Sequence, residues 1–190
     1  MDHDAPYSLL AALENVKGKG LPPIHSWHPE NIKDIDMVIQ KNGTWMYMGT
    51  PITRRRLVHL FSTVLLKEGE EYFLVTPVEK CRIQVEDVPF QAILLTVTGR
   101  GRKQNLRFTT DMAEEVLAGD DHPLRIEVDP HSDEPSPYIL IRDQLEAKLT
   151  RTVYYQLADL MTLEGVDGQE WYGVWSGGVF FKLMESTPDI

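Results

Sequence analysis

The sequence is short of the features that define secreted and membrane proteins. Its 190 residues include one cysteine, Cys81, so no disulfide can form within the chain. The longest apolar runs, such as residues 92–97, fall far short of the roughly 18 residues that a membrane-spanning helix needs. Residues 1–6 lack the basic segment and the long apolar stretch of a secretory signal. We therefore expect a cytoplasmic protein without a transmembrane span.

Basic residues are also scarce. The chain carries 29 Asp and Glu against 19 Lys and Arg, which gives a net charge of -10. Residues 101–190 hold 17 of the acidic residues but only 8 of the basic ones. Because a strongly acidic chain repels a phosphate backbone, we do not expect bulk nucleic-acid binding, although a local basic pocket can still hold a small anion.

No catalytic signature or phosphate-binding glycine loop is present. His25 and His28 have a spacing seen in some metal sites, but no cysteine lies near them. Cys81 lies in a strand-like run, which is more typical of a small buried side chain than of a reactive thiol. An enzyme acting on a phosphorylated substrate, with Asp36 or His122 as base, is an alternative that no nucleophile motif supports. We therefore predict no catalytic residue, no metal and no cofactor.

The apolar spacing predicts a mixed α+β fold. Apolar residues, 42% of the chain, suffice for a core, and helical periodicity predicts a helix over residues 7–17 and two more that begin near Thr53 and Thr150. Asn42-Gly43, a dipeptide typical of a type I′ turn, predicts a β-hairpin over residues 35–48. Gly177-Gly178 is interpreted as another tight turn, and residues 111–117 as one helical turn. Further strands are predicted at residues 72–75, 81–85, 90–98, 106–109, 124–128, 138–142, 171–175 and 179–184.

One stretch of sequence occurs twice. A Thr-Arg pair begins a helix at Thr53 and again at Thr150, a shift of 97 positions, and each helix precedes a loop and a strand pair. The apolar positions of the first helix match those of the second at the same shift: Leu57, Leu60, Phe61 and Val64 against Tyr154, Leu157, Ala158 and Met161. This predicts internally duplicated helix-plus-antiparallel-strand units, whose seam is a usual place for a ligand pocket. The alternative is chance, because a helix followed by two strands is common.

The repeated helix starts supply the candidate anion ligands. Arg54, Arg55 and Arg151 lie where first-turn N-H groups and the helix dipole favour an anion. The alternative is that these arginines are solvated or paired with carboxylates.

Aromatic residues on predicted strands supply candidate stacking surfaces. Trp45, Tyr47 and Trp175 are suited to stack on a flat ring wherever they line a cleft. The alternative is that they belong to the core.

These segments together resemble the bacterial DUF1285 family, a domain of unknown function. The resemblance covers about residues 21–184 and rests on motifs that include NGTWMYMGTPI (residues 42–52), YFLVTPVEK (residues 72–80), VEDVP (residues 85–89), DHPL (residues 121–124) and GVWSGG (residues 173–178). It implies an internally duplicated core and a C-terminal part that superficially resembles a pleckstrin-homology fold. It also implies a nucleotide-like ligand between the copies and a role in bacterial signal transduction.

We therefore expect residues 1–22 to form an N-terminal helix and linker, residues 23–86 a first α+β repeat and residues 87–190 a second, pleckstrin-like one. The functional hypothesis is a non-catalytic sensor that binds a small anionic or nucleotide-like ligand. A protein-protein interaction module is the alternative.

Overall fold

The computed structural model describes residues 5–14 and 20–186. Within that part of the chain the fold is mixed α+β and mostly sheet, with three α-helices and fifteen strands. The helices are α1 (Ala5–Glu14), α2 (Arg55–Thr63) and α3 (Arg151–Ala158). Two compact units divide the chain, Met1–Pro89 and Phe90–Ile190.

The first unit contains one six-stranded sheet. Its strands are β1 (Ile32–Ile39), β2 (Trp45–Tyr47), β3 (Thr50–Pro51), β4 (Leu65–Glu68), β5 (Glu71–Val75) and β6 (Lys80–Val85). They lie in the order β3-β2-β1-β6-β5-β4. The central strands β1 and β6 are parallel, and every other pair is antiparallel.

The predicted hairpin at residues 35–48 is present as β1 and β2, but the predicted turn type is wrong. A type I′ turn needs positive φ at both Asn42 and Gly43, and only Gly43 has it, at 85°. The Gly43 N-H donates to Gln40 O, and Gln40 N-H donates to Thr44 O. The connection is therefore a three-residue loop closed by glycine, and the Asn42 side chain accepts a hydrogen bond from Thr44 N-H.

The second unit contains two sheets. Its strands are β7 (Phe90–Thr98), β8 (Asn105–Thr110), β9 (Glu115–Leu117), β10 (Leu124–Val128), β11 (Pro135–Arg142), β12 (Leu145–Leu149), β13 (Thr162–Val166), β14 (Gln169–Ser176) and β15 (Val179–Glu185). The first of its sheets has the order β10-β11-β12-β7-β8-β9, and the second is the antiparallel meander β13-β14-β15. Strand β15 lies against β10.

The two six-stranded sheets have the same connectivity. Each consists of two three-stranded antiparallel meanders, and in each the first strand along the chain pairs parallel with the sixth, β1 with β6 and β7 with β12. The helix has different places in the two units: α2 lies between the third and fourth strands, whereas α3 follows the sixth. This shared connectivity suggests repeated units.

The 97-residue shift corresponds to a different similarity. Helix α2 precedes the meander β4-β5-β6, and α3 precedes the meander β13-β14-β15. The helices begin one residue apart at this shift, because Arg54 is the N-cap of α2 whereas Thr150 is the N-cap of α3. Their buried faces differ accordingly: Phe61 is buried in α2, whereas its counterpart Ala158 is only half-buried.

Several predicted boundaries are wrong. The helix predicted to begin near Thr53 stops at Thr63, and the apolar pattern continues into β4, which begins at Leu65. Part of the loop predicted between the second helix and its strand pair is the strand β13, and the expected helical turn at residues 111–117 ends in β9. Residues 15–17 of the first predicted helix lie outside the described residues. The tight turn at Gly177-Gly178 is confirmed, with positive φ at both glycines.

Each unit has its own buried side chains. Among the largest that are fully buried are Trp45, Phe61, Met37 and Leu74 in the first unit and Phe90, Phe108, Ile139 and Ile141 in the second. None of the helices in the described residues is long and apolar enough to cross a membrane.

Candidate functional site

A pocket opens beside the start of α3 in the second unit. It has a volume of about 410 Å³ and is termed here the Arg151 pocket. Its walls are the beginning of β11, the end of β12 and the first turn of α3. The lining residues are Glu134, Pro135, Ser136, Pro137, Lys148, Leu149, Arg151, Tyr154 and Tyr155.

The Arg151 pocket combines two cations with two aromatic rings. Arg151 is exposed and makes no ion pair with any described residue. The Tyr154 and Tyr155 ring centroids are 6.2 Å apart, with the ring planes inclined at 39°. Burial, and then the neighbouring Tyr155, raise the pKa of Tyr154 above its ordinary value near 10, so its hydroxyl stays neutral and able to donate. These groups suit a ligand with a flat ring beside an anionic group.

A smaller pocket lies at the start of α2 in the first unit. It has a volume of about 240 Å³ and is termed here the Arg54 pocket. Its lining residues come from α1, β2 and the segment that leads into α2: Tyr7, Leu10, Tyr47, Ile52, Thr53, Arg54 and Leu57. Arg54 is exposed and has no ion-pair partner in residues 5–14 and 20–186.

The two pockets occupy matching positions in the sequence repeat. Three residues that line the Arg54 pocket have counterparts, at the shift of 97, that line the Arg151 pocket. The pairs are Ile52 and Leu149, Arg54 and Arg151, and Leu57 and Tyr154. Each arginine therefore lines a pocket formed by the described residues of its own unit.

The other predicted ligand residues lie elsewhere. Trp45 is only 2% exposed and stacks on Phe61, with ring centroids 6.5 Å apart, so its ring belongs to the core. Arg55 is exposed in the first turn of α2 and is not among the residues lining the Arg54 pocket. Tyr47 does line that pocket.

Trp175 belongs to a polar cluster at the meander β13-β14-β15. Its indole N-H donates to Glu164 Oε1 at 3.0 Å, and Arg102 Nη2 donates to Glu164 Oε2 at 2.7 Å. The Arg102 guanidinium lies 5.2 Å from the Trp175 ring centroid, and the Phe180 ring centroid is 5.3 Å away. These contacts already occupy the N-H group and part of the ring of the indole that was expected to stack on a ligand.

The candidate metal-binding and catalytic residues lie outside both pockets. No cluster of three or more His, Cys, Asp or Glu able to hold a metal is found in the described part of the chain. The His122 ring is 3.0 Å from Leu140 O through Nδ1, and Asp36 is exposed on β1. Cys81 is buried.

Sequence reasoning missed Lys148 and Tyr155 as pocket residues and assigned Tyr154 to an apolar helix face. The available signal was the Tyr154-Tyr155 pair itself. Adjacent residues of a helix point in directions about 100° apart, which is about the width of a buried helix face, so two adjacent rings are rarely buried to the same extent. In α3, Tyr154 is half-buried and Tyr155 is exposed.

The family models and the solved structures that match the chain carry the same family description. The family model described as "Domain of unknown function (DUF1285), N-terminal domain" matches residues 22–88, and "Protein of unknown function (DUF1285), C-terminal domain" matches residues 89–183. The chain is 47% identical to a DUF1285 family protein from Silicibacter pomeroyi DSS-3, whose crystal structure matches with a TM-score of 0.84 over 93% of this chain and 94% of that chain. A DUF1285 family protein from Shewanella baltica OS155 is 28% identical, with a TM-score of 0.49 over 65% of this chain and 90% of that chain. No curated protein matches the chain.

Proposed function

The chain belongs to the DUF1285 family, and on that premise we propose that it is a non-catalytic ligand-binding protein whose Arg151 pocket holds a small anionic, nucleotide-like ligand. The observation that carries the proposal is the convergence of Arg151, Lys148 and two tyrosines on one pocket. Its volume of about 410 Å³ falls within the range of about 300–1,000 Å³ typical of small-molecule sites.

The electrostatics of the pocket favour an anion. Arg151 and Lys148 contribute two positive charges against the single carboxylate of Glu134. An arginine fork matches the geometry of a phosphate or carboxylate group, and charge-assisted hydrogen bonds are about twice as strong as neutral ones. The lining of this pocket has more basic than acidic residues, whereas the chain as a whole has a net charge of -10.

The two tyrosines supply the surface for a ring. Tyr155 is 59% exposed, which is unusual for a large aromatic side chain, and it lies beside the half-buried Tyr154. Stacking of a base on an aromatic side chain contributes about 1–3 kcal/mol. A nucleoside monophosphate provides both the ring and the anionic group.

The proposal is tested by thermal shift and calorimetric titration with nucleoside monophosphates and with inorganic phosphate. Arg151→Ala is expected to weaken both classes of ligand about 10- to 100-fold, because it removes a charged hydrogen-bond donor. Tyr155→Ala is expected to weaken the nucleotide about tenfold and to leave phosphate binding unchanged. Arg100→Ala, which removes an exposed cation of the same unit outside the pocket, is the matched control. Absence of any nucleotide binding by the wild type would contradict the proposal.

The finer properties implied by the family resemblance are also proposals. They are a cytoplasmic location, a sensor role in bacterial signal transduction and a second unit that resembles a pleckstrin-homology fold. The predominance of antiparallel strand pairs in the second unit supports the last of these.

Protein-protein interaction is a second candidate function, favoured by an exposed apolar row on the meander β13-β14-β15. Leu163 pairs with Tyr172 and Tyr172 pairs with Met184, and the three side chains are 45%, 43% and 38% exposed. Strand β13 also forms an edge of its sheet, where an extended peptide can add a strand. A pull-down from the native host should recover one dominant partner that Tyr172→Ser loses, whereas a monomer without a partner would contradict this candidate.

A further inference from the structure

The Arg54 pocket and the Arg151 pocket differ in charge. Arg54 is the single charged residue among the described residues that line its pocket, and it is accompanied by the apolar side chains of Leu10, Ile52 and Leu57. The Arg151 pocket is lined by three charged residues. The two matching positions of the repeat are therefore lined by different chemical groups.

We propose that the Arg54 pocket is a second binding site, specific for a small amphiphilic monocarboxylate such as a medium-chain fatty acid. The Arg54 guanidinium takes the carboxylate, and the apolar side chains take the hydrocarbon chain. This site lies in the other unit and takes another ligand class, so it does not depend on nucleotide binding at the Arg151 pocket.

The charge of the pocket selects a carboxylate over a phosphate monoester. One guanidinium can form two parallel hydrogen bonds with a carboxylate and neutralise its single charge. A phosphate monoester is close to doubly charged at neutral pH, and the lining residues that are described include no second cation for the extra charge. Because the net charge of the protein is -10, the uncompensated charge is unfavourable.

The walls of the pocket select a short apolar chain. Leu10 and Tyr7 lie three positions apart on α1 and therefore on the same side of that helix, while Ile52 and Leu57 approach from either side of Arg54 in sequence. Leu10, Ile52 and Leu57 are all half-buried. The volume of about 240 Å³ is below the range of about 300–1,000 Å³ that is usual for drug-sized ligands. A small ligand with an apolar body fits these limits.

The test is a calorimetric titration of the full chain with butanoate, hexanoate and octanoate, and with octan-1-ol as the uncharged analogue. Affinity is expected to rise by up to about fourfold for each added methylene group that the pocket buries. Octan-1-ol is expected to bind at least about tenfold more weakly than octanoate, because it lacks the charge that pairs with Arg54.

Variants separate a specific site from general electrostatic attraction. Arg54→Ala is expected to weaken octanoate binding about 10- to 100-fold, and Arg54→Lys should restore part of it. Arg56→Ala is the matched control, because Arg56 is an exposed cation in the same helical turn that does not line the pocket. Equal losses in Arg54→Ala and Arg56→Ala, or no octanoate binding by the wild type, would overturn the proposal.

The same titrations keep this proposal distinct from the proposed function. Arg151→Ala should bind octanoate as the wild type does, and Arg54→Ala should bind a nucleoside monophosphate as the wild type does. Octanoate binding without nucleotide binding would contradict the proposed function alone. A loss of octanoate binding in Arg151→Ala equal to that in Arg54→Ala would contradict the separate site.

Discussion

Two carboxylates illustrate how single residues shape this fold. Glu79 is only 7% exposed, and its carboxylate is 2.7 Å from Lys33 Nζ and 3.4 Å from the Ser8 hydroxyl on α1. Burial, and then Glu79, raise the pKa of Cys81 to about 12, so the thiol stays protonated and unreactive near neutral pH. Glu164 is more accessible, and the hydrogen bonds from Trp175 and then Arg102 lower its pKa below the ordinary value near 4.5.

The lowered pKa of Glu164 predicts a specific pH dependence of stability. A carboxylate whose pKa is lower in the folded than in the unfolded protein stabilises the fold above the unfolded value, here near 4.5. That contribution is lost as the pH falls below 4.5 through the folded-state pKa. We expect Glu164→Gln to lower the denaturation midpoint at about pH 7 and to have a smaller effect at about pH 3.5, as measured by urea unfolding. A difference that stays constant or grows in acid would contradict this prediction.

At the scale of elements, the β14–β15 hairpin is attached to the neighbouring sheet by a small buried network. Ser176 Oγ accepts a hydrogen bond from Leu106 N-H at 2.9 Å and donates one to Ala118 O at 2.7 Å. The Gln104 side chain donates to Trp175 O at 2.9 Å. The GVWSGG motif at residues 173–178 thus has a structural explanation in this hairpin.

Gly173 in the same hairpin predicts a large effect of a small substitution. A Cβ at this position would lie 2.1 Å from Phe181 O and 2.6 Å from the Phe180 ring, so the paired strands would have to move apart. We expect Gly173→Ala to lower the free energy of unfolding by at least about 1–3 kcal/mol. Gly165→Ala on the neighbouring strand is the matched control, since a Cβ there has no atom within 4 Å. Similar unfolding free energies for the two variants would refute the close approach at Gly173.

At the scale of the whole molecule, the strand pairings divide the chain into two units. Every pairing of β7 to β15 joins residues between Phe90 and Glu185, and every pairing of β1 to β6 joins residues between Ile32 and Val85. Two of the four tryptophans, Trp171 and Trp175, belong to the second unit.

This division predicts that residues 90–190 fold when expressed alone. Because the fragment contains complete sheets with their own buried side chains, it should give a β-rich circular dichroism spectrum. It should also unfold in one cooperative transition, observed by the fluorescence of Trp171 and Trp175. A spectrum typical of unfolded chain, or a gradual change without a transition, would be the contrary result.

The sequence predicted the elements whose signal is local. The β1–β2 hairpin, the positions of β5 to β8 and the turn at Gly177-Gly178 follow from alternation and turn residues. Strands β4 and β12 were missed, because Leu65 continues the apolar pattern of α2 and residues 145–149 precede α3 without a turn signal of their own. The parallel pairs could not be predicted, since they join distant segments.

The candidate sites were predicted only in part, for a similar physical reason. Arg54, Arg151 and Tyr47 were identified from helix starts and strand aromatics, and all three line a pocket. Lys148 was not identified, because its place beside Arg151 depends on how β12 turns into α3. Trp45 was considered for stacking although it is buried, and sequence alternation does not say which face of a strand meets the core.

The parallel pairing of the first and sixth strands has a consequence for synthesis on the ribosome. Strand β1 cannot acquire its central partner until β6, some 40 residues later, has left the exit tunnel, and β7 waits similarly for β12. Pairing strands that are distant in sequence costs chain entropy, because a long loop must close first, and this slows the folding of a sheet. Until these pairings form, each nascent sheet consists of separate meanders with unpaired inner edges. The first unit can close before the second is complete, which limits wrong pairing between two sheets of the same connectivity.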